Sequence, residues 1–240
     1  MKRTIGEHPL LGGAVTLVGE ADCLHIESKN PPLLILSSAF SGGGWREGMR
    51  IVNRHVKKGY DEEDPIQETA TWLKGRGWDS EETVALLTAA QVEHGVIVEE
   101  GAPEGRVAAV VTAGMSNAAR AGVDGPVYRH CKGAGTINTI LLIDGEVTPA
   151  AMVNGVIMAT EAKAAALQDL GAEDAKGRVA TGTTTDSVVI ASTQIRQGDF
   201  LHEYAGAASP LGRLIGMTVY QAMIEALRHS KSLTGEVWPT

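Results

Sequence analysis

Residues 136–171 read TINTILLIDGEVTPAAMVNGVIMATEAKAAALQDLG, and how they are read decides the fold. The first eight, Thr136 to Ile143, form a short aliphatic run of strand character. From Thr148 the character changes: a capping threonine, Pro149 in the first helical position, an alanine-rich middle and Gly171 at the stop predict one long helix. A strand therefore delivers the chain directly into a helix.

Working outward, 14–19 (AVTLVG), 23–28 (CLHIES), 33–39 (LLILSSA), 106–113 (RVAAVVTA) and 187–192 (SVVIAS) are further strand candidates, the third and last of the buried type. Residues 61–77 predict a helix entered through Pro65 and left at Gly75 and Gly77, and 79–91 (DSEETVALLTAAQ) a second, capped by Asp79 or Ser80. A last helix runs over 210–230, with Leu211, Leu214, Ile215, Thr218 and Ala222 near one face. Because the strands cluster instead of alternating with helices, the expectation is an α+β fold, a mixed sheet layered with helices, in a single domain over residues 1–240.

The chain carries 21 Lys and Arg against 29 Asp and Glu, a formal charge of -8, and no basic run, so nucleic acid is not an expected partner. Cys23 and Cys131 are too few for a disulfide framework, and no Cys and His spacing suits a metal. No apolar run approaches about 20 residues, so no membrane is expected and the expected location is cytoplasmic. Glycine, at 29 residues, sits singly or in short groups between apolar runs, which marks turns and close backbone approaches.

Several polar junctions share one form, an apolar strand meeting glycine and small hydroxyl or amide side chains. In LSSAFSGGGWREGMRIVNRHV (36–56) the glycines that include Gly42 and Gly43 can cradle an anion, with Ser37, Ser38 and Asn53 as partners, or can simply form a loop. His55 beside it is an acid or base candidate. Asn117 in VTAGMSNAARAG (111–122) donates to an oxyanion or caps the next turn, and Asn138, inside its strand, is a core hydrogen-bonding group or a ligand group. On the long helix, Glu161 is a buried base or a solvated acid, sharing a face with Asn154, Met158, Ala165 and Gln168; Lys163 points elsewhere. In ATGTTTDSVV (180–189), Thr183, Thr184 and Thr185 offer donors or a nucleophile, Thr181 is a further substrate-binding candidate, and Asp186 polarises a water or organises a turn. His130 and Cys131 are adjacent, but a thiol dyad is assembled in space and sequence neighbours rarely face each other.

These motifs, in this order, resemble the adenosylcobinamide amidohydrolase family of corrinoid salvage. The likeness runs from LSSAFSGGG and VNRHV through TAGMSNAARAG, GTINTILLIDGEVTPAAMVNGVIMATEAKAAAL and ATGTTTDSVVIA to EYAGAASPLGRLIG, and is thin over 66–82 and from Lys231 on. Phe40, the third glycine and the threonine triplet depart from the pattern and bear on substrate fit. The resemblance implies hydrolysis of the aminopropanol amide of adenosylcobinamide to adenosylcobyric acid. Cobalt then arrives inside a small corrinoid substrate, and no separate cofactor is expected. In that reaction Asp186, or else Glu161, activates water, Asn117 or Asn138 with loop N–H groups holds the oxyanion, and Lys163 or His55 balances charge; a threonine nucleophile is the competing route. A binding protein without turnover and a structural oligomer subunit are the rival classes, and oligomeric state is left open.

Overall fold

The computed structural model describes residues 6–29, 31–124 and 135–234. In chain order the strands are β1 (Glu7–Leu10), β2 (Val15–Gly19), β3 (Cys23–Ser28), β4 (Leu33–Ser37), β5 (Gly44–Gly48), β6 (Arg50–His55), β7 (Thr83–Thr88), β8 (Val96–Ala102), β9 (Gly105–Ala113), β10 (Ala118–Ala119), β11 (Ile137–Asp144), β12 (Glu146–Val147), β13 (Gly182–Thr183), β14 (Ser187–Ser192) and β15 (Leu201–His202). The helices are α1 (Pro65–Gly75), α2 (Pro149–Asp169) and α3 (Pro210–Thr234). Thr148 caps α2 by accepting from the Ala151 N–H at 3.2 Å, and Asp64 caps α1 by accepting from Gln67 at 2.9 Å.

Six strands form one sheet in the order β5-β4-β14-β11-β9-β8, and five form another in the order β1-β2-β3-β6-β7. Each is antiparallel apart from one pair, β11 with β14 and β6 with β7. Parallel neighbours need a crossover, and α2 and α1 lie in those two connections. The fold is the expected α+β arrangement, with a second sheet added.

Alternation along β11 sets the layers. Ile137, Leu141 and Ile143 join Met152, Ala159, Ile215, Val219 and Met223 of α2 and α3, while Ile140 and Leu142 join Leu17, Ile26, Ile51 and Leu86 of the five-stranded sheet. Each such side chain contributes about 1.5–3 kcal/mol by leaving water. On the outer face of the smaller sheet, Leu73 and Trp72 of α1 and Trp78 cover Cys23, Val52 and Ala85. The result is four layers: helices, sheet, sheet, helix.

The segment 79–91 is not a helix. Its apolar run is short and begins with β-branched Thr83 and Val84, and it is claimed by β6, with which it pairs from Arg50↔Thr83 to His55↔Thr88. Asp79 closes a turn instead: its carboxylate accepts from the Glu81 N–H at 2.9 Å and its carbonyl from the Thr83 hydroxyl at 2.6 Å.

Between the sheets, near one end, lies a polar link. Asn53 Nδ2 donates to Thr112 Oγ1 at 2.8 Å, and Asn138 Nδ2 donates to Asn53 Oδ1 at 2.8 Å and to the Leu87 carbonyl at 2.9 Å; all three side chains are buried. On the far side, α1 and the turn after it are held by a stack in which guanidinium and indole groups alternate. Arg50 lies 4.7 Å from Trp78, Arg76 lies 5.2 Å from Trp78 and 4.4 Å from Trp72, and Arg54 lies 4.7 Å from Trp72. Arg50 pairs with Glu27, Arg54 with Glu68, and Arg76 with Glu20 and Asp22. Beneath them burial pushes the Cys23 thiol up to about 12, which leaves it a poor nucleophile.

Two outcomes follow for stability. Asn53→Ala removes one of the two acceptors of Asn138 Nδ2 and the donor to Thr112, and lowers the unfolding free energy by about 1–3 kcal/mol in urea titrations. Burial holds His25 below its ordinary range, against the pull of Glu27 and Glu20, and the bond from Arg54 holds Glu68 below its own. Both folded values lie under the unfolded ones, so these contributions are complete above the unfolded values and are lost as pH falls through the folded ones. Melting temperature should begin to drop below about pH 6.5, with a further contribution below about pH 4.5. His25→Phe should flatten the first part of that descent.

Candidate active site

One end of the sandwich collects the polar junctions. β4 and β9 finish where β11 and β14 begin, as the register Ser37↔Val189, Ala113↔Ile137 and Asn138↔Ser187 shows. The ends of β6 and β7 lie beside them, because Asn138 reaches the Leu87 carbonyl.

Asp186, at the mouth of β14, is the most heavily bonded side chain there. Its Oδ1 accepts from the Ile137 N–H at 3.1 Å, the Thr183 N–H at 3.1 Å and the Thr183 hydroxyl at 2.5 Å. Its Oδ2 accepts from Thr183 N–H at 3.1 Å and from Lys163 Nζ at 2.5 Å. Both side chains of that ion pair are about 15 % exposed, buried enough for the charges to interact strongly and open enough to be reached. The pair lies in a cleft of about 120 Å³ lined also by Ser38, Thr139, Thr160 and Ser187. Gly182 makes the contact sterically possible: a methyl there would lie 2.3 Å from Asp186 Oδ2 and 2.8 Å from Lys163 Nζ.

The threonine loop is tied down from several sides. Asn117 Nδ2 donates to the hydroxyls of Thr184 at 2.8 Å and Thr185 at 3.2 Å, Thr185 donates to the Gly135 carbonyl at 2.7 Å, and Thr136 donates to the Thr185 carbonyl at 2.7 Å. Thr181 accepts from the Ala121 N–H at 2.9 Å, and β10 pairs with β13. The buried Asn117 Oδ1 has no hydrogen-bond partner among the described residues.

The other residues singled out from the sequence have distinct places. Ser38 borders the cleft, its Oγ accepting from the Val188 N–H at 3.0 Å, while Ser37 is buried and accepts from Ala39 N–H at 2.9 Å. Gly42 and Gly43 are packed tightly in the β4–β5 connection: methyls there would meet the Thr83 carbonyl at 2.8 Å and the Ala39 carbonyl at 2.2 Å. Asn53 and Asn138 belong to the buried inter-sheet link. Glu161 is exposed on α2, because the helix turns Ala151, Gly155, Ala159, Ala162 and Ala166 inward, whereas Lys163 reaches the site. His55 is in a separate, larger cavity of about 430 Å³. His130 and Cys131 lie outside the described residues.

Thr139, Thr160 and Ser187 were not singled out from sequence. Thr160 and Lys163 are three apart on α2, a spacing that puts them on one face and was the available signal. Among the described residues no helix is long and apolar enough to cross a membrane.

The site is thus a paired carboxylate and ammonium in a small cleft at the end of a two-sheet α+β sandwich. The chain belongs to the adenosylcobinamide amidohydrolase family, whose model matches residues 14–235, and so falls within a family of hydrolases. It is 33 % identical over 207 residues to the adenosylcobinamide amidohydrolase of Halobacterium salinarum, covering 84 % of this chain and 83 % of that one. Identity to the adenosylcobinamide amidohydrolase of Methanosarcina mazei is 27 % over 207 residues, covering 84 % and 91 %. An uncharacterized protein of Methanocaldococcus jannaschii is 31 % identical over 232 residues, covering 88 % of both chains.

If Lys163 and Asp186 are energetically coupled, each single change should cost more than its share. Lys163→Met leaves a partly buried carboxylate without its cation, and adding Asp186→Asn should recover about 1–3 kcal/mol in a double-mutant denaturation cycle.

Proposed function

We propose that this chain hydrolyses the amide joining the aminopropanol arm to the corrin ring of adenosylcobinamide, releasing aminopropanol and adenosylcobyric acid. The family supports the substrate class. The observation that carries the chemistry is the Lys163–Asp186 pair in its cleft.

Oδ1 of Asp186 is taken up by three donors and anchors the group, while Oδ2, held by Lys163 and by its share of the Thr183 N–H, is the oxygen that accepts a proton from water. The water oxygen adds to the amide carbon as its proton moves to Oδ2. Negative charge then develops on the carbonyl oxygen, and the Lys163 ammonium stabilises it; one preorganised group of this kind supplies about 3–4 kcal/mol. The C–N bond breaks as Asp186 returns the proton to nitrogen, so the amine leaves neutral and the carboxylate is restored. Ser38 and Ser187 border the space where the amide lies. Asn117 acts one step away, by holding the threonine loop that fixes Asp186. Cobalt takes no part in this balance and arrives with the substrate.

A second reading rests on one contact. The Thr183 hydroxyl donates to Asp186 Oδ1 at 2.5 Å, the geometry of a hydroxyl readied as a nucleophile. It would form an acyl-enzyme, whereas the water route forms none.

The test is incubation of the protein with adenosylcobinamide and mass spectrometry of the products. Both aminopropanol and adenosylcobyric acid are expected, and binding without either product overturns the hydrolase reading. Asp186→Asn should slow the reaction by about 10²–10⁴ while melting as a folded protein. Thr183→Val should retain measurable turnover, and intact-mass spectra during turnover should show no added acyl group; a trapped adduct on Thr183 would replace the water route with the second reading.

A further inference from the structure

The proposed chemistry leaves the larger cavity unused. It is about 430 Å³, adjoins the site through the Gly135–Ile137 entry to β11, and has a mixed lining in which Ala90, Ala113 and Met115 stand beside Lys58, Gln91 and Ser116, with His55 and His94 among them. A wider basin whose wall mixes apolar and polar groups suits a macrocycle fringed with amide arms better than a short polar arm alone. The arm's own chemistry is already served by the neighbouring cleft.

His55 is prepared in a particular way. Its Nδ1 lies 2.9 Å from the Ala90 carbonyl. A carbonyl only accepts, so Nδ1 carries the hydrogen, and the neutral ring is left with its lone pair on Nε2. Nε2 has no hydrogen-bond partner among the described residues. A backbone carbonyl on one imidazole nitrogen is the arrangement that orients the other toward a metal. His94 differs: its Nε2 lies 3.7 Å from Glu93 Oε1, on its own short turn, and its ring sits beside His229.

Building on the amidohydrolase reading, we infer that His55 is an axial ligand to the cobalt of the corrinoid substrate, with Nε2 donating its lone pair from the floor of this cavity. Cobinamide lacks the nucleotide base of the complete vitamin, so the position opposite the adenosyl group is open to an added nitrogen donor, and imidazole suits cobalt. The step is a ligand exchange: a cobalt–water bond breaks, a cobalt–nitrogen bond forms, and no electron or proton is transferred. Held at its centre, the ring leaves its side arms free, and the aminopropanol amide extends past Gly135 toward Lys163 and Asp186. His55 is then a positioning residue for substrate.

The experiment uses the intact protein with cob(II)inamide and electron paramagnetic resonance. Nitrogen splitting of the cobalt signal is expected, a triplet that becomes a doublet when the protein is labelled with nitrogen-15 at histidine. His55→Ala should abolish the splitting, and free imidazole should restore a triplet that no longer responds to the protein label. With adenosylcobinamide as substrate, His55→Ala should raise KM about tenfold and lower kcat by less. Splitting that survives in His55→Ala and disappears in His94→Ala overturns the assignment, as does an unsplit signal from bound corrinoid. An unsplit signal in a preparation that still releases aminopropanol overturns this inference alone. Failure to release aminopropanol together with failure to bind the corrinoid overturns the amidohydrolase reading as well.

Discussion

Burial of the six-stranded sheet on both faces is the constraint from which the rest follows. β11 turns Ile137, Leu141 and Ile143 to the helices and Ile140 and Leu142 to the second sheet, leaving no exposed face on which to build a site. Polar groups can emerge only at the strand ends. A parallel pair with a helix in its connection also means that β11 and β14 start at the same end, so their entry loops meet. Asp186 therefore finds the Ile137 N–H, and α2, lying across that face, brings Lys163 to both.

Placing a carboxylate and an ammonium at 2.5 Å in a partly dry cleft is costly unless the remaining valences are met. Here they are met by backbone and hydroxyl donors to Asp186, and the loop that supplies them is itself tied to Asn117, Thr136 and Gly135. The threonine run thus holds the Asp186 carboxylate from several sides. The same logic of fixing one atom to aim another recurs at His55, whose Nδ1 is committed to the main chain. Two cavities of different size then flank one strand entry, the narrower holding the Lys163–Asp186 pair and the wider holding His55.

Much of this was legible in the residues. The α2 cap and stop and the strand candidates at 33–39, 106–113 and 187–192 follow from local pattern, whereas local pattern left Asp186 balanced between a turn and a reacting group. Pattern misled where the partner decides: 79–91 carries a helix-like opening, yet β6 recruits its core as a parallel strand. Helix phase misled likewise for Glu161. Grouping Glu161 with Met158 suggests an inward face, but alanines and Gly155 mark the real one, since only small residues let α2 approach α3 and the sheet so closely.

Local sequence by itself determined the kinds of element outside 79–91, the capping of the helices, the glycines needed where backbones crowd, and the small set of polar groups available for chemistry. These depend on neighbours a few residues away, through periodicity, dihedral preference and nearby hydrogen bonds. Tertiary structure alone decided which of those groups meet. It put Asn53 and Asn138 into a satisfied link between sheets, exposed Glu161, joined Lys163 to Asp186 and set His55 in another cavity. Hydrogen bonds and ion pairs act over a few ångströms, and only the packing of the two sheets and their helices brings residues that far apart in the chain within that distance.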